Sequence, residues 1–378
     1  MKYVFMLAWL AVCGADAALA QNAPRRSPEL QKKLDDYTRA RKAFLAESES
    51  YWNAISDKRR LRAQKRRSGE AVTRDDYVLT QPPVYAGPPR PADPSIPERD
   101  ETIPPRKFIP VVADFLKAAR EHYNFVPDRP ASERDFKRAY VQTALASGLT
   151  REQIIRVYAF ETGGNGTYDM QAGINPAKPE SRAISPAMGY NQLLATNSVS
   201  LLAGHGDEFV KALTQKAAAL PPDARAAFTR KIETLRRMIA ASRTVPNRWA
   251  EHDKLADTPQ GYAMHAAVLD RDIGPLLQTQ KLLNSVLFAR QRGVRRALTG
   301  AELELMNFTG DGNGIDMVSM PQELREIVPT SNFFQQRGYE RNPVARRTGT
   351  VAKLIADMDS RMDRYSQNPG AKELTGLF

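Results

Sequence analysis

The chain has 378 residues, a net charge of +12 and a single cysteine. One cysteine excludes a disulfide framework or a thiolate metal site, and no run beyond the N-terminus reaches the roughly 18 apolar residues of a membrane span. The length leaves room for more than one domain, and the basic excess suits anionic partners.

Lys2, the apolar run Val4 to Val12 and the small-residue site Ala18-Leu19-Ala20 predict a secretory leader, 1–20, cleaved after Ala20. Cleavage would discard Cys13 and leave the charge at +12, since Lys2 and Asp16 cancel. Val12 before Cys13 is unfavourable for a lipoprotein site. The expected location is periplasmic or secreted. For an exported basic protein, acidic wall peptides or anionic lipid headgroups are the expected partners, and no nucleic acid.

Residues 21–78 read as a basic helical arm. Leu30, Leu34, Tyr37, Phe44, Tyr51 and Ile55 recur at helical spacing, with gaps near Arg41 and Ser48, and the arm ends in a basic run from Lys58 to Arg67. Residues 79–108 carry Pro82-Pro83, Pro88-Pro89, Pro91, Pro94, Pro97 and Pro104-Pro105, which predicts an extended, semi-rigid connector. From 109 to 365 the pattern is helical. Expected helices are Val111 to Tyr123, one opening at Ser132, one from a Thr150-x-x-Gln153 capping box to Glu161, then Gln192 to Leu202, Asp207 to Leu220, Asp223 to Arg243, the apolar stretch Gly261 to Arg290, and Thr350 to Tyr365. Loops are expected at 163–185 and 309–334, and a tail at 366–378. The predicted fold class is all-α.

Glu161 stands where an apolar helix meets Gly163-Gly164. A carboxyl held there against Tyr158 and Phe160 would be desolvated, which raises its pKa and suits a general acid. The following segment, Ala187-Met188-Gly189-Tyr190-Asn191-Gln192-Leu193-Leu194, resembles the Ala-Met-Gly-Leu-Met-Gln-Leu-Met core of the soluble lytic transglycosylases. Glu161-Thr162 resembles their Glu-Ser pair. Leu305-Met306-Asn307-Phe308-Thr309-Gly310 is similar to their Ala-Tyr-Asn-Ala-Gly element, with one residue more before the glycine. The three elements occur in family order over less than half of the chain. Asn191 replaces a methionine, Ala195 a proline, and Met306 the tyrosine near the acid, so the chain resembles a divergent member.

The resemblance implies a goose-type lysozyme-like domain acting on peptidoglycan glycan strands. Glu161 would be the catalytic acid and then base, with Thr162, Met188, Tyr190, Gln192 and Asn307 at the substrate, no cofactor and no metal. Two other readings stay open: a hydrolytic muramidase with Asp169 or Asp311 positioning water, and a non-catalytic wall-binding protein that has lost turnover with the tyrosine.

Other constellations point elsewhere than to metals or hydrolase triads. Asp311-Gly312-Asn313-Gly314-Ile315-Asp316 fails the EF-hand register, because Met320 falls where the bidentate glutamate belongs, and reads as a tight turn. His122, His205, His252 and His265 have no metal-ligand spacing, and His265 reads as a satisfied core residue. Asn332 to Pro343 concentrates aromatic and amide groups that suit either sugar stacking or loop packing.

Overall fold

The computed structural model describes residues 27–92 and 108–378. The predicted leader, 1–20, and most of the connector's later prolines lie outside the described residues. Among the described residues there are sixteen α-helices and no strand, so the protein is all-α. Contacts divide the chain into one unit of Met1–Val72 with Thr80–Lys107 and a second of Thr73–Leu79 with Phe108–Phe378.

The first unit is built on α1 (Pro28–Ser68). Ser27 caps it by accepting from the Leu30 amide at 3.1 Å, and Pro28 occupies the first turn, where its missing N–H costs nothing. Lys65, Arg66 and Arg67 fall in the last turn, opposite the negative end of the helix dipole. The proline-rich segment is not a free connector at its start. Tyr85 packs edge-on to Tyr37 and Phe44, at centroid distances of 6.3 and 5.5 Å. Tyr51 also donates to the Thr80 carbonyl at 3.0 Å. Arg41, which interrupts the apolar spacing, lies over the Phe44 and Tyr85 rings at 5.1 and 5.3 Å, so its stem and face are part of the same contact.

The second unit begins at Thr73, earlier than the sequence boundary at 109. The Val78 backbone pairs with the Asn332 amide, donating to Oδ1 at 3.0 Å and accepting from Nδ2 at 2.8 Å, while Tyr77 packs on Phe333. Its first helices are α2 (Val112–Tyr123), α3 (Glu133–Ala146) and α4 (Arg151–Thr162). The capping box at Thr150 and Gln153 forms as the sequence predicts, with both reciprocal bonds present.

Two expected helices are one, α5 (Ala195–Ala218). Gly206 does not break it, because the glycine lets Ile239 of α6 (Pro222–Ser242) approach the backbone. The helix α7 (Trp249–Ala256) follows, and the apolar stretch beyond it divides into α8 (Pro259–His265) and α9 (Gly274–Gln291). The division lies at Asp270, whose buried carboxylate accepts from the amides of Asp128, Asp272 and Ile273 and faces Lys231 at 3.0 Å. His265 is fully buried, with its ring nitrogens 2.8 Å from Ser198 Oγ and 2.9 Å from the Pro186 carbonyl, and burial pushes its pKa down to about 4.

The expected loop at 309–334 is largely helical. The helix α10 (Gly300–Thr309) turns at Gly310 into α11 (Asp311–Val318), and α12 (Gln322–Ile327) follows. After them come α13 (Gln336–Glu340), α14 (Pro343–Thr348), α15 (Val351–Ser366) and α16 (Pro369–Thr375). The expected tail is therefore α16, locked by an ion pair between buried Lys137 of α3 and Glu373 at 2.6 Å.

A chain spanning 73–378 and one spanning 108–378 separate the contribution of Thr73–Leu79. The shorter chain removes both Val78 bonds from buried Asn332, which keeps its bond to the Pro329 carbonyl, and is expected to lose about 1–3 kcal/mol. Equal denaturant midpoints would show that Thr73–Leu79 adds nothing to the second unit.

Candidate functional site

Glu161 lies in the last turn of α4, a helix on which α10 and α15 both pack. Gly163 ends the helix in the left-handed region at φ 62°, and Gly164 follows at φ 73°. The C-terminal segment fixes this turn. Asn368 Nδ2 donates to the Gly163 carbonyl at 2.7 Å, and the Ala371 amide donates to Gly164 O at 2.8 Å. A Cβ on Gly164 would overlap the Tyr365 carbonyl, whereas one on Gly163 meets open space.

The carboxylate of Glu161 accepts from Asn307 Nδ2 at 2.9 Å and faces Lys281 Nζ at 3.8 Å. Its side chain is 17% exposed, so solvent still reaches it. A second carboxylate, Glu304, is 2% exposed one helical turn before Asn307, and both its oxygens lie 3.4 Å from the same amide nitrogen. Burial raises the pKa of Glu161, opposed by Lys281 and Asn307. Burial raises Glu304 further, and the charge of Glu161 adds to the effect.

The second sequence element closes the site from the other side. Met188 bridges to Gln171 and to Leu193, which folds 188–193 into a tight turn. Gly189 sits at φ 76° because Gln278 of α9 occupies the space of a Cβ. Gln278 Oε1 accepts from the Asn191 amide at 2.9 Å, and Lys281, one turn on, donates to the Asn191 carbonyl at 2.6 Å. Lys281 therefore joins the turn to Glu161. Gln192 holds φ 43°, a strained conformation for a residue with a side chain, and its amide donates to Gly189 O at 2.9 Å. Such strain concentrates at functional positions.

The residues proposed from sequence divide into two groups. Asn307 bonds Glu161 directly, and half-buried Gln192 lies in the turn that Lys281 joins to it. Thr162, Met188 and Tyr190 are buried and hold it together: Thr162 donates to the Tyr158 carbonyl, and the Tyr190 hydroxyl donates to Glu133. Tyr190 meets Phe136, Tyr140 and Tyr158 edge-on at 5.3, 5.3 and 4.9 Å, an aromatic core beneath the turn. Tyr158 is part of that core, with its hydroxyl on the Gly166 carbonyl. Desolvation of Glu161 thus comes with its packing among α9 and α10 as well as its own helix.

Met306 is fully buried, packed where Gly314 of α11 leaves no space for a Cβ. Neighbouring helix positions differ by about 100° in direction, so Asn307 and Met306 cannot both face the acid. A tyrosine hydroxyl does lie near Glu161: that of Tyr140, bonded to the Asn191 side chain and raised in pKa by burial and by Glu161's charge. Tyr168 instead accepts from Arg129, and Asp169 pairs with the same arginine at 2.7 Å. Asp311 opens α11 rather than a loop and accepts from Ser285.

Glu304, Lys281 and Tyr140 are the site residues that sequence reading missed. Lys281 carries a readable signal, a charge in the middle of apolar α9, whereas Glu304 is one of two buried glutamates of α10, with Glu302. Among the described residues, no cluster of three or more His, Cys, Asp or Glu is arranged to hold a metal ion.

A concave pocket of about 810 Å³ lies elsewhere, lined by Phe125, Asp128, Lys216, Phe228, Lys231 and Asp272 among others. Its charges pair with one another: Lys231 contacts Asp270 and Asp272, and Lys216 contacts Asp272. The positive-φ Gln192 turn and the shared Asn307 amide make the Glu161 cluster, rather than this pocket, the candidate site. Comparisons with protein-family models, curated proteins and solved structures return no match.

Paired glycine variants test the turn. Gly163→Ala is expected to cost about 1 kcal/mol from the left-handed backbone alone. Gly164→Ala adds a backbone clash and is expected to cost roughly twice that or more. Thermal unfolding of the two variants checks this, and equal losses would show that α15 and α16 do not constrain the turn.

Proposed function

We propose that the protein is an exported lytic transglycosylase that cleaves the β-1,4 bond between N-acetylmuramic acid and N-acetylglucosamine in peptidoglycan. The observation that carries this reading is Glu161, a carboxyl raised in pKa by burial yet open to solvent, beside a glutamine-bearing turn held in strain. The leader predicted at 1–20 supports export, and the three family-like elements support the substrate class.

In this mechanism Glu161 donates its proton to the glycosidic oxygen as the bond to C1 of the muramoyl residue breaks. The N-acetylglucosamine hydroxyl leaves. The muramoyl 6-hydroxyl attacks C1, its proton passes to Glu161, and a 1,6-anhydro ring closes with the acid restored. Asn307 and Lys281 fix the carboxylate and balance its charge between the two steps. Gln192 binds the glycan, and exposed Phe308, packed on Phe334 at 6.1 Å, offers an aromatic edge for a sugar face. The basic run ending α1 would meet an anionic surface of the envelope.

Hydrolysis is the weaker reading because it needs a group to activate water. Inverting glycosidases separate their carboxyls by about 6.5–9.5 Å to admit that water. Glu304 is buried and shares Asn307 with Glu161, while Asp169 and Asp311 are bonded to Arg129 and Ser285. A reaction that closes on the substrate's own hydroxyl needs no such group.

Mature protein incubated with purified peptidoglycan is expected to release anhydro-muropeptides detectable by mass. Glu161→Gln should lower the rate about 10²–10⁴-fold while the fold persists. Products carrying added water would establish hydrolysis instead. Glycan binding without turnover would establish a binding protein.

A further inference from the structure

We propose that Glu304 is a positioning acid of this site, sharing one proton with Glu161 beneath the Asn307 amide while Lys281 balances the charge that remains. The catalytic part of this inference rests on the proposed transglycosylase reading, whereas the shared proton does not.

The geometry leaves Glu304 little alternative. It is 2% exposed, and among the described residues Asn307 is the one hydrogen-bond donor that reaches it, at 3.4 Å. That amide makes its shorter bond, 2.9 Å, to Glu161. The groups facing the pair are Lys281 from α9, which also donates to the Asn191 carbonyl, and the Tyr140 hydroxyl from α3, which lies on the Glu161 side. Two ionised carboxylates with one ammonium would leave a net negative charge in a desolvated position. One proton held by the pair makes the cluster neutral, which is the arrangement burial favours. An apolar residue would fill the same place on α10 with no such cost, so the carboxyl is retained against stability.

The proton has a use in the reaction. Once Glu161 has passed the shared proton to the leaving oxygen, both carboxylates are ionised, with Lys281 alone to balance them. Their repulsion makes the pair a stronger base toward the muramoyl 6-hydroxyl proton. When the muramoyl hydroxyl returns its proton to Glu161, the pair is restored to its starting state with no net change in protons. Glu304 never touches substrate and acts only through Glu161.

Linkage gives a sign that does not depend on turnover. The folded pair keeps a proton at pH values where the unfolded glutamates, near 4.5, have lost theirs. Stability contributed by that proton is full below 4.5 and falls as pH rises through the folded pKa values. Glu304→Gln removes this dependence while nearly preserving volume.

The experiment measures thermal unfolding of the full chain from pH 4 to 8, together with the pH profile of kcat/KM on peptidoglycan. Glu304→Gln is expected to raise Tm by about 2–4 °C at pH 8 and to leave it near wild type at pH 4. The alkaline limb of the activity profile should move to lower pH by about one unit or more. If the wild-type protein shows no turnover, the proposed function fails and the Tm profile alone still decides the proton sharing. A Tm difference that does not change with pH overturns the proposal, as does an unmoved alkaline limb in an active enzyme. Glu304→Leu provides the second variant, with the same rise at pH 8 expected. Loss of folding in both variants assigns Glu304 a purely structural role and overturns the proposal.

Discussion

The placement of one carboxylate at the end of a buried helix is the constraint on which the rest of the second unit depends. For the proposed reaction Glu161 must be dry enough for its pKa to rise and open enough to meet a substrate, and those demands oppose each other. The structure meets them with three helices. The glutamate's own helix brings it to a terminus, α10 supplies the amide that orients it, and α9 supplies the ammonium that keeps its ionised form tolerable. An unpaired buried carboxylate would be expelled or permanently protonated. A carboxylate in a tight salt bridge would be permanently ionised. At 3.8 Å, Lys281 lies between those limits.

Remote parts of the chain are committed to the same end. Asn368 and Ala371 are some two hundred positions from the Gly163–Gly164 turn, yet they bond its carbonyls directly. The turn at 188–193 is held by Gln278, and it reaches Glu161 through the lysine one helical turn beyond. Rigid elements with locked side chains are what an acid–base site requires, because small errors in position forfeit large factors in rate. The aromatic core of Phe136, Tyr140, Tyr158 and Tyr190 serves that purpose from below.

What the sequence made legible follows from what is local. The helix carrying Glu161 could be read because its cap, apolar face and terminating glycines lie within a few turns of one another. Its neighbours could not. Glu304 and Lys281 are distant in sequence, and only packing shows that they converge. Met306 meets the same limit: the pattern aligns it with the family's tyrosine, and only packing shows it buried against Gly314 of α11. Thr162, Met188 and Tyr190 are in the recognisable elements but build the site from behind. The boundary at Thr73 was hidden because seven residues before a proline-rich stretch carry no periodicity, and their place is set by Asn332 and Phe333 far downstream.

Several features of the site work against stability, and that is the strongest argument that it is more than a folded helix junction. Gln192 adopts a backbone conformation that disfavours side chains, a carboxyl is buried without a cation of its own, and a lysine is half-buried to compensate. The charged pocket around Lys231 shows the contrast. There each acid in contact with Lys231 has a cation or backbone amides in direct reach, as a structural network should. At Glu161 the charges are left imperfectly matched, and only a transferred proton or a bound polar ligand would complete them.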